Sequence, residues 1–238
     1  EQVDVLEKFV VGMTVDEVKA IQVCQDLTDD TFNHILGFIK EGKTEKEVAL
    51  EMEFYMRKKG AEEVSFSFIV VSGANSSLPH GVPGERKLQY GDFVTMDFGA
   101  LKNGYCSDMT RTVAVGFATE EMKLIYNTVL EAQLAGLSIS KAGVPGKEID
   151  GAARKVIADA GYGQYFGHSY GHSLGMEVHE APNCSPSGET VMQENMVSSA
   201  EPGIYIPGKF GVRIEDVLIY KAGGSENITH SPKNLIII

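Results

Sequence analysis

Asn103-Gly104 restricts what this chain can fold into more than any other dipeptide in it. β-Branched and apolar residues flank it from Val94 to Val115. Asn-Gly favours a two-residue turn with both central φ angles positive. Such a turn joins antiparallel strands whose paired residue numbers sum to 207. Asp97 then faces Thr110, and Asp108 lies two residues from Thr110 on the same face. Two carboxylates converge among apolar neighbours. Buried carboxylates without a counter-charge are costly, so the hairpin predicts a cation beside them.

A second stretch repeats the arrangement. Residues 195–220 read as a hairpin around Pro207-Gly-Lys-Phe-Gly211. A turn centred on Gly208 sets Glu201 opposite Glu215. The repeat extends further. Gly42, Lys46, Glu47, Val48 and Gly60 match Gly143, Lys147, Glu148, Ile149 and Gly161 at a constant offset of 101 residues. Each set precedes a helix, an extended segment and a hairpin. The pattern predicts two αβ halves about a pseudo-twofold axis, with ligands between them.

The remaining elements follow from period and capping. Helices are expected over 14–40, 44–59, 119–138 and 146–160. Thr14-Val-Asp-Glu17 and Thr44-Glu-Lys-Glu47 have the form of capping boxes. Pro145 suits the start of the fourth helix, and Gly60 and Gly161 suit the ends of the second and fourth. Phe66–Ser72 reads as a buried strand. Residues 73–84 read as an irregular loop, and 234–238 as a short terminal strand.

Composition narrows the function. A net charge of −12 argues against non-specific nucleic-acid binding, because no basic stripe is present to release phosphate counterions. No apolar run approaches the roughly 18 residues of a membrane span. Three scattered cysteines without a C-x-x-C motif fit a reducing compartment. The N-terminus lacks a signal pattern. The expectation is a cytoplasmic protein with no nucleic-acid or membrane partner. The chain begins at Glu1 rather than Met, which leaves room for residues upstream.

Four carboxylates and an imidazole suit Mn, Co, Fe or Zn. Four negative charges balance two divalent ions, which points to a dinuclear site, ions about 3.5–4 Å apart, that generates a hydroxide nucleophile near neutral pH. The histidine candidates are His168, His172 and His179. Singly, these residues have plainer readings. Arg213 could pair with Glu215 or Asp216 on a surface, Cys106 suits a core, and His34 and His230 suit structural roles.

The motifs Met96-Asp97-Phe-Gly99, Tyr105-Cys-Ser-Asp108-Met-Thr-Arg111-Thr112, Gly171-His172-Ser-Leu-Gly-Met-Glu-Val-His179-Glu180, Glu201-Pro-Gly-Ile-Tyr205 and Gly211-Val-Arg213-Ile-Glu215-Asp216, with Leu78-Pro-His80-Gly81, cover nearly the whole chain. Together they resemble the pita-bread metallopeptidases, and within them the Xaa-Pro aminopeptidases and Xaa-Pro dipeptidases (prolidases). The resemblance implies an α+β pita-bread fold, with pseudo-symmetric halves at about 14–116 and 119–220. Antiparallel hairpins would form a curved sheet covered by helices. It implies one catalytic domain over 1–238, without the N-terminal domain usual in the subgroup.

The resemblance also implies roles. Asp97 would hold one metal, Asp108 and Glu215 would bridge two, and His172 and Glu201 would bind the second. Glu201 would also handle the nucleophile's proton. His179 would stabilise the tetrahedral intermediate. His80 and His168 would line the substrate site, and Arg213 would orient Glu215 or contact substrate. The ions would be Mn or Co, then Zn or Fe. The substrate would be a peptide with proline at its second position, cleaved before that proline by a metal-bridging hydroxide, and a homodimer is allowed. The sequence does not choose between aminopeptidase and dipeptidase. Two alternatives stand beside this reading: a silent domain that binds peptides or partner proteins, and a metal-free, creatinase-like amidinohydrolase. Two departures from the family pattern are Ser173, where Gly is common, and Ser198-Ser199-Ala200, where bulkier residues are common. They are expected to enlarge the pocket or loosen the support of the ligands.

Overall fold

The computed structural model describes residues 12–238. The expected lack of a signal pattern over residues 1–11 lies outside the described residues. Helix α1 (Val15–Ile35) starts on its capping box. The Thr14 hydroxyl accepts from the Glu17 N–H at 3.3 Å, and the Glu17 carboxylate accepts from the Thr14 N–H at 2.8 Å. The helix stops before the expected residue 40, because the Gly37 N–H turns to the His34 carbonyl and tightens the chain into turns. Helix α2 (Glu45–Lys58) uses the Thr44–Glu47 box in the same way. Helix α3 (Glu120–Ile139) is capped by Thr119, and α4 (Gly146–Asp159) begins directly after Pro145.

The first hairpin keeps the expected register. Strands β3 (Phe93–Phe98) and β6 (Met109–Ala114) pair Asp97 with Thr110. Strands β4 (Ala100–Lys102) and β5 (Tyr105–Cys106) pair Lys102 with Tyr105 across the turn. Asn103 and Gly104 have φ of 53° and 77°, as that turn requires. The hairpin is not one ribbon, however. It breaks at Gly99 and Ser107. A Cβ on Gly99 would lie 1.9 Å from the Ser107 carbonyl oxygen, so the close crossing there needs glycine. Below the break, β3 and β6 join β2 (Ile69–Ser72). Above it, β4 and β5 join β1 (Glu63–Val64).

The second hairpin behaves alike. Strands β9 (Val197–Ala200) and β12 (Asp216–Lys221) pair Ala200 with Asp216. Strands β10 (Gly203–Ile206) and β11 (Phe210–Arg213) pair Gly203 with Arg213. Gly208 turns it at φ +74°. Glu201 and Glu215 fall in the gap between the two ladders. The Glu201 N–H bonds the Tyr170 carbonyl, and the Glu215 N–H bonds the Thr110 carbonyl. β9 and β12 belong to a five-stranded sheet with β7 (Gly171–Ser173), β8 (Glu180–Cys184) and β13 (Gly224–Asn227), in the order β13-β12-β9-β7-β8.

The two halves share bonds as well as elements. The Gly42 N–H bonds the Leu88 carbonyl, and the Gly143 N–H bonds the Met192 carbonyl. Glu45 to Arg86 recurs as Gly146 to Thr190, and Lys46 to Gly84 recurs as Lys147 to Gly188. Each helix pair covers its own strands. Val48, Met52 and Met56 of α2 pack in one core with Val70, Met96 and Phe98. Ile149, Ala153 and Ile157 of α4 pack in another with Leu218 and Tyr220. Each of the valine, leucine, isoleucine, methionine and phenylalanine side chains among them contributes about 1.5–3 kcal/mol when fully buried.

Several local expectations need correction. The strand expected at 66–72 begins at Ile69. The stretch read as irregular opens with a 3-10 turn, Gly73–Ser77, held by the Ser76 and Ser77 hydroxyls on Gly73 and Ala74 carbonyls. Strands β8 and β13 were not expected. Segment 234–238 makes a single parallel bridge, Ile237 against Ala114, reinforced by the Gly116 N–H on the Ile238 carbonyl. Before it, Asp29 of α1 accepts from the His230 and Ser231 N–H groups, and Arg111 of β6 donates to the Ser231 and Pro232 carbonyls. The second half thus returns its chain to the first. Among the described residues no helix is long and apolar enough to cross a membrane.

Candidate metal centre

The breaks in the two hairpins place the acidic residues. Asp97 lies just before the Gly99 crossing, and Asp108 lies within the opposite break. Glu201 and Glu215 fill the gap in the second hairpin. The breaks release Asp108, Glu201 and Glu215 from the alternation of a continuous sheet, Asp97 keeps its place opposite Thr110 in the ladder, and all four carboxylates face one cavity of about 680 Å³. All nine residues singled out from the sequence line it: His80, Asp97, Asp108, His168, His172, His179, Glu201, Arg213 and Glu215. Apolar walls complete it, with Phe66, Phe68, Ile69, Val82 and Val178 among them.

His172 sits at the centre. Its Nε2 lies 3.2 Å from Glu201 Oε1 and 3.6 Å from Asp108 Oδ2. Its Nδ1 lies 3.1 Å from the Ser173 carbonyl oxygen. An N–H on Nδ1 satisfies that carbonyl and leaves Nε2 as the coordinating nitrogen. Asp108, His172 and Glu215 each offer a ligand atom within 4.8 Å of the others.

Three buried carboxylate oxygens, Asp97 Oδ1, Asp108 Oδ1 and Glu215 Oε1, have no hydrogen-bond partner among the described residues. An unsatisfied buried acceptor costs about 1–3 kcal/mol, and more when charged. Burial pushes the Asp108 carboxyl well above the usual range, and the charges of Glu215, Asp97 and Glu201 add to it. Glu215 is raised in the same way, by burial and then by Glu201 and Asp97. Asp97 is raised by burial, and Arg213 offsets part of that. For Glu201 burial also pushes upward, but the His172 hydrogen bond and the charges of His172, His168 and Arg213 outweigh it and hold the carboxyl at about 2. Unpaired hard oxygens beside one imidazole fit divalent cations of the Mn, Co, Fe and Zn group.

Arg213 is not on a surface, and it pairs with neither Glu215 nor Asp216. Its side chain is 3% exposed, and its Nη2 lies 2.5 Å from Asp97 Oδ2. Its Nε donates to the Thr110 hydroxyl at 2.8 Å, and that hydroxyl donates to Glu215 Oε2 at 2.6 Å. Asp216 instead takes Arg111 and Lys233. His179 lies beside His172, with ring centroids 4.3 Å apart. Burial and the neighbouring His172 lower its pKa. His168 is tethered by the Ser169 carbonyl on one nitrogen and the Tyr205 hydroxyl on the other, each at 2.9 Å. His80 is an exposed residue on the cavity wall. Cys106 is a buried free thiol, as are Cys24 and Cys184. His34 stacks on Tyr55, away from the cavity.

Sequence reasoning missed three residues that fix the geometry. Thr110 was visible as the partner of Asp97, but its hydroxyl's reach to Glu215 was not. Tyr205 closes the Glu-Pro-Gly-Ile-Tyr motif and accepts from Arg213 Nη1 at 2.7 Å. Ser199 belongs to the stretch expected to loosen the ligands, and it does the opposite. Its hydroxyl donates to Glu201 Oε1 and accepts from the His172 N–H, each at 3.0 Å.

Comparison with known proteins bears on the family and the fold. The chain is 44% identical over 233 residues to an Xaa-Pro dipeptidase of Pyrococcus horikoshii, covering 98% of this chain and 66% of that relative. It superposes on the solved Xaa-Pro dipeptidase from Bacillus anthracis with a TM-score of 0.96 and 52% identity, over 98% of this chain and 66% of that one. It superposes equally well, at 0.96 with 41% identity over 99% and 66%, on an X-Pro aminopeptidase from Thermotoga maritima MSB8. The fold is therefore the expected pita-bread fold. The chain spans 66%, just under two thirds, of the curated relative's length. The sequence pattern of metallopeptidase family M24 matches residues 19–222, and the chain belongs to that family.

Proposed function

We propose that this chain is a metallo-exopeptidase domain that hydrolyses the peptide bond preceding proline. The observation that carries the reading is the set of three buried, unpartnered carboxylate oxygens around His172 in one cavity. The names of the relatives, Xaa-Pro dipeptidase and X-Pro aminopeptidase, support the bond class. Residues 1–238 act as one catalytic unit with halves at about 14–116 and 119–220, in the cytoplasm, with a homodimer as the assembly to test.

Two divalent ions, Mn or Co, would supply Lewis acidity to the scissile carbonyl and lower the pKa of the attacking water. Asp97 would hold one ion, Asp108 and Glu215 both, and His172 and Glu201 the other. The protein's own groups do the rest. Arg213 and Thr110 fix the directions of Asp97 and Glu215. Ser199 fixes Glu201, which accepts and returns the proton of the nucleophile. His179 meets the charge that develops on the carbonyl oxygen. The amide before proline is tertiary and offers no N–H. Recognition there rests on shape, which the apolar walls of Phe66, Phe68 and Val82 provide, with His80 and His168 beside them.

The test is metal content and turnover together. After reconstitution with Mn or Co the chain should bind two ions and cleave an Xaa-Pro peptide. Fewer than one ion per chain removes the basis of the reading.

A further inference from the structure

The two halves differ at one position of their repeat. Glu45 and Gly146 stand at the same 101-residue offset, each at the first position of its helix. In the second half, a Cβ on Gly146 would lie 2.5 Å from the Asn183 carbonyl oxygen of β8. β8 passes close to the helix start there, and its ladder with β7 holds it in the sheet. Its counterpart in the first half, residues 79–83, is turn and loop rather than strand. In place of a ladder, the Glu45 carboxylate holds this segment.

Glu45 is fully buried. Its Oε1 accepts from the Ser72 N–H at 2.7 Å, the Ser72 hydroxyl at 2.8 Å and the Asn75 amide at 3.1 Å. Its Oε2 accepts from the Gly84 N–H at 3.1 Å. The Ser72 hydroxyl in turn accepts from Arg86 Nη1 at 2.6 Å, so a guanidinium supports the carboxylate through one hydroxyl. Hydrogen bonds to a carboxylate are stronger than those between neutral groups, and these tie both ends of segment 72–84. Between the ends lie Leu78, Pro79, His80 and Gly81, with Arg213 donating to the Pro79 carbonyl and the Gly211 N–H to the Ser76 hydroxyl. His80 is exposed on the cavity wall. Packing does not fix an exposed ring, so the backbone beneath it must.

We propose, building on the Xaa-Pro peptidase reading above, that Glu45 is a positioning residue of the cavity. It does not line the cavity itself. It sets the loop 72–84, and through that loop the place of His80 beside the bound peptide. The first half thus obtains from one side chain of α2 what the second half obtains from a β-ladder.

The test is a double-mutant cycle. Calorimetry reads the binding of an Xaa-Pro analogue, reduced at its Xaa–Pro bond, to the Mn-loaded chain, and hydrogen exchange is followed on the metal-free chain. Glu45→Gln keeps the shape and removes the charge. It should quicken exchange of the Ser72 and Gly84 N–H groups, leave the metal content unchanged and weaken analogue binding about tenfold. His80→Ala should weaken binding by a similar factor, and the double variant no further than His80→Ala alone. Asn75→Ala removes one of the bonds to Glu45 and should weaken binding by about threefold. It carries the same cycle if Glu45→Gln does not fold. Loss of metal from Glu45→Gln, losses that multiply in the double variant, or an unchanged affinity for the analogue overturn the assignment. A cycle that closes as expected, in a chain that cleaves no Xaa-Pro peptide, keeps the role of Glu45 and removes the hydrolase reading. An analogue that the unaltered chain does not bind removes both.

Discussion

The two hairpins solve the same problem with different parts. In the first, a two-residue turn sets the register and the acids are aspartates. Asp97 is paired across the ladder with Thr110, and Asp108 lies in the break. In the second, the turn is centred on Gly208 and the acids are glutamates, both in the gap between ladders. Ser199 holds Glu201 within the second hairpin, but each hairpin also orients an acid of the other. Arg213 of the second holds Asp97 of the first, and Thr110 of the first holds Glu215 of the second. The site is braced across the two halves, so half of this chain would carry carboxylates without their supports.

The largest test of this comparison removes one acid from each hairpin. Asp108→Ala and Glu215→Ala should each take metal content from two ions per chain toward none and cut turnover by roughly 10³-fold or more. Elemental analysis that still finds two ions in either variant would show that the two hairpins do not share their ions. Next come the braces. Arg213→Met should destabilise the metal-free chain by about 3–5 kcal/mol in chemical denaturation, because it strands the Asp97 charge. The loss should be smaller with metal bound. Equal losses in both states would mean that Asp97 does not face the ions.

Thr110→Val keeps the shape and removes one hydroxyl. It should weaken metal binding or turnover by about 10–100-fold, with little change in the melting temperature of the metal-free chain. A large fall in that temperature would make Thr110 a core residue rather than a brace. The smallest effect is that of pH. Asp108 and Glu215 titrate higher in the folded chain than in the unfolded one. The folded, metal-free chain therefore binds more protons, and its stability falls as pH rises from the ordinary carboxyl range through those raised values. Bound ions replace the protons. The gap in melting temperature between loaded and metal-free protein should widen from pH 5 to pH 8. A constant gap would contradict the raised carboxyls.

The registers of both hairpins were legible because turn chemistry is local. Asn103, Gly104 and Gly208 each need a positive φ, and counting outward from them places every pair. The helix pairs were legible for the same reason, the first through Thr14, Thr44 and Gly60 and the second through Pro145 and Gly161. What was not legible depends on distant partners. The break at Gly99 is set by the approach of Ser107 and by the neighbours that each half of the ribbon finds. Strands β8 and β13, Glu-Ala-Pro-Asn-Cys and Gly-Ser-Glu-Asn, carry no apolar alternation, and only their places in the five-stranded sheet make them strands. The plainer reading of Arg213, a surface pair with Glu215 or Asp216, rested on their nearness in sequence. Its actual partner, Asp97, is 116 residues away.

The return of the chain from the second half to the first bears on how the protein is made. β6 is an edge strand of its sheet, and its far end is covered by Ile236–Ile238. Arg111 on the same strand waits for carbonyls about 120 residues further along. During synthesis the first hairpin therefore leaves the ribosome with an open strand edge and a guanidinium lacking its acceptors, and it stays so until the second half has been translated. An unprotected edge is a template for pairing with other chains. The interval between the two halves is when a nascent copy of this protein is most exposed to aggregation.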